Sequence, residues 1–247
     1  MAPRVVVLSL ASDFGCQLQM TNIEDDLLAV LGRIELTYWQ LASSMRMPDE
    51  YDVAIVEGAV TMPEHVELLL RAREKASIVI AVGACAMNGG IPALAADSVA
   101  GSRDAVYGPD APRFSLDALP PRGATSVIDV DYLVPGCPID TSEYLDVLSH
   151  ALLGMRDHTP IEPMCASCKV DENVCFFESD QICLGVVTRS GCGARCVTLG
   201  RPCTGCRGLA PDANLGSART VFAEHGYDLA EVLATHRIYN SSEEATL

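Results

Sequence analysis

The residues with most chemistry to offer are the eleven cysteines, and eight of them crowd into positions 165–206. Cys165, Cys168, Cys175 and Cys183 run as C-x2-C-x6-C-x7-C; Cys192, Cys196, Cys203 and Cys206 follow as C-x3-C-x6-C-x2-C. A C-x2-C turn aims two thiolates at one metal centre, and a four-iron cluster takes four cysteines. Eight cysteines therefore suit two such clusters, although the spacing is not the ferredoxin run C-x2-C-x2-C-x3-C-P. Zinc competes for C-x2-C pairs. Two zinc ribbons would bring two pairs to each site, however, and the array holds only two pairs in all.

Cys16, Cys85 and Cys137 stand apart, each beside a glycine, in D-F-G-C, G-A-C and P-G-C-P. Each follows a short apolar run, as does the pair Glu57–Gly58. If those runs are parallel strands, the loops after them open at one carboxyl edge, where open α/β sheets place their ligands. Asp13, Cys16, Cys85 and Cys137 then converge, although the sequence separates them by more than a hundred positions. Three thiolates and a carboxylate can bind zinc or an iron–sulfur cluster. The plainer alternative is three buried cysteines acting as small hydrophobes, with Asp13 as a turn residue.

Those loops need a sheet to position them. Strands are expected at Arg4–Leu10, Asp52–Val56, Ser77–Val82 and Thr125–Val130. Helices are expected at Ile23–Ile34, capped by Thr21 or Asn22, at Pro63–Ala76 and at Ser142–Leu153. Alternation of this kind predicts an α/β fold, a doubly wound, flavodoxin-like parallel sheet over residues 1–158. Residues 159–247 read as a small, irregular cysteine-rich domain that carries two clusters. It is too poor in apolar residues for a conventional core, so metal centres must supply folding energy. Its end reads as a return segment with one helix, Ala218–His225 or Leu229–Thr235.

Composition narrows the partners. A formal net charge of −16 disfavours nucleic acid and anionic lipid. No apolar stretch of about 18 residues predicts a membrane span, and the first residues lack a signal peptide or twin-arginine leader. A cytoplasmic location follows as an expectation, and there disulfides are disfavoured and metal ligation preferred. There is no P-loop, no G-x-G-x-x-G after a strand and no nucleophile–base pair, so no catalysis is expected from the chain alone.

D-F-G-C-Q-L, E-G-A-V, G-A-C-A-x-x-G-G-I-P and P-G-C-P, followed by PMCASC, CLG, GCGARC and RPCTGC, resemble the small subunit of nickel–iron hydrogenases. The complex I 20 kDa-subunit family is similar in part. The resemblance covers most of residues 4–208. It implies an oxidoreductase subunit that carries electrons through three [4Fe-4S] clusters, in a hetero-oligomer with a nickel–iron large subunit. Asp13, Cys16, Cys85 and Cys137 would hold the proximal cluster, Cys165, Cys168, Cys175 and Cys183 the distal one, and Cys192, Cys196, Cys203 and Cys206 the medial one. Exchange of a cysteine between the last two sets stays open. Asp13 stands where the family usually has a cysteine, and is read as a ligand retaining four irons. The E-G motif makes Glu57 a proton relay or partner contact; the plainer reading has it accepting N–H groups of a neighbouring loop. Electrons would leave through a flavin and iron–sulfur reductase reducing NAD(P), with a deazaflavin or heterodisulfide partner, or a ferredoxin-like carrier without hydrogen chemistry, as alternatives.

Overall fold

The structure is a computed structural model and describes residues 2–23, 25–108 and 117–241. Five strands form the sheet: β1 (Arg4–Ser9), β2 (Glu35–Trp39), β3 (Val53–Glu57), β4 (Ile78–Val82) and β5 (Tyr132–Val134). All neighbours pair in parallel, in the order β2-β1-β3-β4-β5. This is the flavodoxin-like order, so the expected α/β fold is observed. The central strands read VVVL, VAIV and VIAV because helices cover both faces, leaving no solvent side that would call for alternation.

One face packs Val5, Val7, Ile55, Ile80 and Val82 against α1 (Gly15–Thr21), α2 (Asp25–Leu31) and α6 (Thr141–Leu152). The other packs Val6, Leu8, Ala54, Val56 and Val79 against α3 (Pro63–Lys75). Pro63 opens α3, where a missing N–H costs nothing. Asp140 caps α6 by accepting the amides of Ser142 at 3.0 Å and Glu143 at 3.2 Å. Beyond β4 lie α4 (Gly83–Asn88), a 3₁₀ segment (Ile91–Ser98) and α5 (Val99–Tyr107).

One expected strand is misplaced. Thr125–Val130 is not extended: Ala124–Ser126 form a 3₁₀ turn, and β5 starts at Tyr132. Side-chain bonds set that turn, Thr125 Oγ1 to Met87 O at 2.5 Å and Ser126 Oγ to Gly123 O at 2.7 Å. The edge strand β2 is not anticipated by the sequence pattern, and the helix expected to run to Ile34 stops at Leu31.

After α6 the chain enters short elements: α7 (Cys165–Val170), 3₁₀ turns at Phe176–Ser179 and Leu184–Val186, and α8 (Arg195–Thr198). Two C-terminal helices follow, α9 (Leu215–Glu224) and α10 (Leu229–Asn240), so both expected alternatives occur together. They supply the core that the cysteine-rich stretch lacks. Phe177, Leu184 and Val187 pack on Ala218, Phe222 and Val232. Fully burying a side chain of the Leu or Phe kind contributes about 1.5–3 kcal/mol. Helix α10 also reaches back to the sheet edge: Asn240 Nδ2 donates to Gly205 O at 2.9 Å, and Asn88 Nδ2 donates to Asn240 Oδ1 at 2.7 Å. Among the described residues, no helix is long and apolar enough to cross a membrane.

Candidate metal centres

Strands β1, β3, β4 and β5 end at one edge, and the loops there bring together the first group of residues. Cys16 lies in the first turn of α1, Cys85 in α4, and Cys137 just after β5. Two glycines clear space at the sulfurs. A Cβ on Gly83 (φ +82°) would lie 2.5 Å from Cys16 Sγ, and one on Gly90 (φ +53°) would lie 2.7 Å from Cys85 Sγ. Both φ values belong to the left-handed region that glycine alone adopts freely.

Electrostatics links the same residues. Burial pushes the Cys16 and Cys85 thiols up to about 12, with further upward pressure on both from Cys137 and Glu57. Cys137 is raised by burial, then by Asp13 and Glu57. Backbone amides oppose this, Ile139 at Cys16 and Ile91 at Cys85. Thiols held this close and this dry stay protonated unless a polycationic centre neutralises them, which is the condition an iron–sulfur core meets.

Asp13 is exposed; its Oδ1 accepts the Gly15 amide at 2.9 Å, so it does serve as a turn residue. Its charge nonetheless acts on Cys85 and Cys137. Glu57 is the last residue of β3 and only 1% exposed. It accepts Ser12 Oγ at 2.6 Å and Gln17 Nε2 at 2.9 Å; Gln17 Oε1 in turn accepts Trp39 Nε1 at 2.6 Å. Burial raises the Glu57 carboxyl, and the Ser12 and Gln17 bonds offset part of that. Sequence reasoning misses Ser12, Gln17 and Trp39; the available signal is a glutamine directly after Cys16 in a helix that must face the core.

The other eight cysteines fall into two neighbouring groups. Cys165, with its thiol pushed up to about 11 by burial, is acted on by Cys183, Cys168 and Cys175. Cys206, also raised to about 11 by burial, is acted on by Cys192 and Cys196. Cys203 stands at the contact: its thiol is raised to about 12 by burial and then by Cys183 and Cys206, and its amide donates to Cys183 Sγ at 3.3 Å. The second group meets the sheet edge through the Cys137 amide, which is directed at Cys206.

Among the described residues, no three cysteine sulfurs lie within 4.8 Å of one another. Zn–S bonds of about 2.3 Å would place tetrahedral sulfurs roughly 3.8 Å apart. The groups are thus wider than a tetrahedral zinc–thiolate site. Arg207, next to Cys206, is 1% exposed and is not anticipated by the sequence pattern. Its Nη1 and Nη2 donate to the Glu143 carboxylate at 2.7 and 2.6 Å. Nη1 also reaches Pro135 O at 2.9 Å, and Nε reaches Ser190 O at 2.9 Å. The guanidinium therefore ties α6 and the loop before Cys137 to the end of the cysteine array.

Residues 14–151 match the family described as the NADH ubiquinone oxidoreductase 20 kDa subunit. The delta subunit of sulfhydrogenase 2 from Pyrococcus furiosus is 34% identical, over 88% of this chain and 91% of that one. A solved NAD+-reducing [NiFe]-hydrogenase contains a chain 30% identical, with a TM-score of 0.59, covering 65% of this chain and 96% of its own. The chain belongs to the nickel–iron hydrogenase small-subunit family. This small subunit is also similar, at 32% identity over 94% of its length and 91% of the relative's, to a vhu subunit of the F420-non-reducing hydrogenase of Methanocaldococcus jannaschii. The NAD+-reducing structure, by contrast, leaves about a third of the present chain without a counterpart.

Proposed function

We propose that this small subunit holds three [4Fe-4S] clusters and relays electrons between the nickel–iron site of a large subunit and a flavin-containing NAD(P) reductase module. The observation that carries this reading is contiguity. The group at the sheet edge touches the 192–206 group through Cys137 and Cys206, and that group touches the 165–183 group through Cys203 and Cys183. When bound, the clusters supply one-electron redox chemistry along that line.

In this reading residues 1–158 form the domain with the proximal ligands Asp13, Cys16, Cys85 and Cys137. Residues 159–247 form the domain with the medial ligands Cys192, Cys196, Cys203 and Cys206 and the distal ligands Cys165, Cys168, Cys175 and Cys183. Sequential pairing is supported at Cys165, which after burial is acted on by Cys183, Cys168 and Cys175; exchange between the sets stays open at Cys203, acted on by Cys183 before Cys206. Asp13 keeps Oδ1 on the Gly15 amide and offers its second oxygen to iron. Amides of Ile91, Ile139 and Gly205 stabilise thiolate charge at Cys85, Cys16 and Cys203. Glu57, held by Ser12 and Gln17, serves as a proton relay or as a contact for the large subunit. The large subunit performs the hydrogen chemistry; this chain positions redox centres and keeps water from them, in the cytoplasm.

A second reading of the outlet is favoured by coverage. The F420-non-reducing relative matches the present chain nearly end to end, whereas the NAD+-reducing one does not. An acceptor other than NAD(P) is therefore the alternative, with a heterodisulfide-linked module; F420 is itself a deazaflavin, so the F420-non-reducing relative lends no support to a deazaflavin-linked one. Anaerobic purification of the native complex separates these readings. About twelve irons in this chain are expected, and nickel in the complex; about eight would remove the third cluster. Hydrogen-dependent reduction of NADP against deazaflavin identifies the outlet.

A further inference from the structure

Among the described residues, one cluster of ligand atoms is tight enough for a single ion. Asp146, His150 and His158 each place one ligand atom within 4.8 Å of the others. Asp146 and His150 are one turn apart on α6, so they share a face. His158 comes from beyond the helix: Gly154 (φ +66°) turns the chain back, and the following residues run alongside α6. The Met155 carbonyl accepts the Tyr132 hydroxyl, and Thr159 Oγ1 donates to Leu133 O at 3.3 Å, which holds the connection in place from the sheet side.

We propose that Asp146, His150 and His158 bind a divalent cation of the zinc class, which clips the connection between α6 and the cysteine-rich stretch onto the helix. The imidazoles already lie at the carboxylate. His158 Nε2 is 2.8 Å from Asp146 Oδ2, and His150 Nδ1 is 3.5 Å from Asp146 Oδ1. The two rings sit with centroids 3.9 Å apart. His150 Nδ1 is also 2.8 Å from the Asp146 carbonyl, so the ring is already anchored on its own turn of α6.

Two imidazoles and one carboxylate are a donor set for Zn2+, with Co2+ and Ni2+ sharing its chemistry; Mg2+ and Ca2+ want oxygen alone. Three protein ligands leave a fourth position open for water. Asp146 and His158 line a cavity of about 510 Å3, together with Ser142, Glu143 and Thr159 among others, which leaves room for water beside the ligands. Asp157, next to His158 in sequence, adds negative charge in a chain that already carries −16. The three residues lie apart from the cysteines in sequence and belong to none of the hydrogenase motifs. Loss of the cation would loosen residues 153–159 while leaving the cysteine groups assembled.

The test uses the anaerobically purified complex with its clusters in place, dialysed against buffered micromolar Zn2+. Wild type should retain one zinc per chain that the His150→Gln/His158→Gln variant binds about 100-fold more weakly, with iron content unchanged in both. Zinc K-edge absorption should show two imidazoles, oxygen and no sulfur. Hydrogen exchange over residues 153–159 should slow on adding zinc to wild type only. Equal zinc in wild type and variant overturns the proposal. So does sulfur coordination, which would mean that zinc had entered the cysteine groups. Asp146→Asn, which keeps the helix surface and a hydrogen-bonding side chain, should weaken binding in the same direction.

Discussion

Removing the carboxylate at Glu143 would strand a cation in the interior. Arg207 is 1% exposed, the Glu143 side chain 10%, and the two meet in a bidentate pair at 2.6 and 2.7 Å. Burial alone would lower the Arg207 affinity for its proton, yet the Glu143 bond and charge raise it on balance, so the guanidinium stays charged. The carbonyls of Arg189 and Ser190 share the Nε–H and that of Pro135 accepts from Nη1, but none of the three brings net charge. Breaking a buried pair by deleting one partner costs about 3–5 kcal/mol. In a chain of this size about 1 kcal/mol moves the melting temperature by roughly 2–4 °C, so Glu143→Ala should lower it by roughly 6–20 °C. Thermal melts would be followed by far-UV ellipticity and by cluster absorbance, because bound cofactors can separate the two transitions. The double variant Glu143→Leu/Arg207→Met removes both charges and should recover most of the loss. A Glu143→Ala melt within about 2 °C of wild type would refute the reasoning, since the carbonyls would then suffice. A double variant as unstable as the single one would show that packing, not charge, is at stake.

Other consequences are open to direct measurement. Asp13→Ala should lower the iron count from about twelve to about eleven while Asp13→Cys retains it; an unchanged count and spectrum in the alanine variant would leave Asp13 a turn residue only. Gly83→Ala should strip the sheet-edge cluster, since its methyl would meet Cys16 Sγ at 2.5 Å, whereas Gly101→Ala, with nothing within 4 Å, should change nothing; the readout is iron per chain. Burial lowers the His65 pKa, and its Nδ1 accepts the Thr61 amide at 3.2 Å. The unfolded chain then binds more protons between the folded value and about 6.5, so stability should fall as pH drops through that window. His65→Gln should flatten this slope in melts from pH 7 to 5.5, and equal slopes would contradict the assignment.

The sheet and the edge at which Asp13 and three cysteines meet were legible because both follow from local rules. Runs such as Val5–Leu8 and Val53–Val56 mark strands buried on two faces, and parallel pairing then carries Asp13, Cys16, Cys85 and Cys137 to one edge. The eight later cysteines announce themselves by spacing. What stayed hidden depends on long-range partners. Arg207 meets Glu143 across 64 positions, and Asn88 meets Asn240 across 152. His158 meets Asp146 only because the chain doubles back after α6. Thr125–Val130 misled because the Thr125 and Ser126 hydroxyls bond backbone carbonyls and hold a turn where the β-branched pattern suggests a strand. Helices α9 and α10 are visible singly, and their joint role as a roof over Leu184 and Phe177 needs the tertiary fold.

The contact of Cys137 with Cys206, and of Cys203 with Cys183, has a consequence for how the chain can be shortened. Travelling from residue 16 to residue 206, the backbone visits the sheet edge, then the far group, and only then the middle one. The path is out and back. A chain cut after Cys183 would keep the cysteines of the sheet-edge and far groups and lose the middle group, together with helices α9 and α10 that pack on Phe177. Shedding the outer station alone requires excising an internal loop, with the segments around Glu162 and Ser190, already bonded at 3.0 Å, left to close the gap.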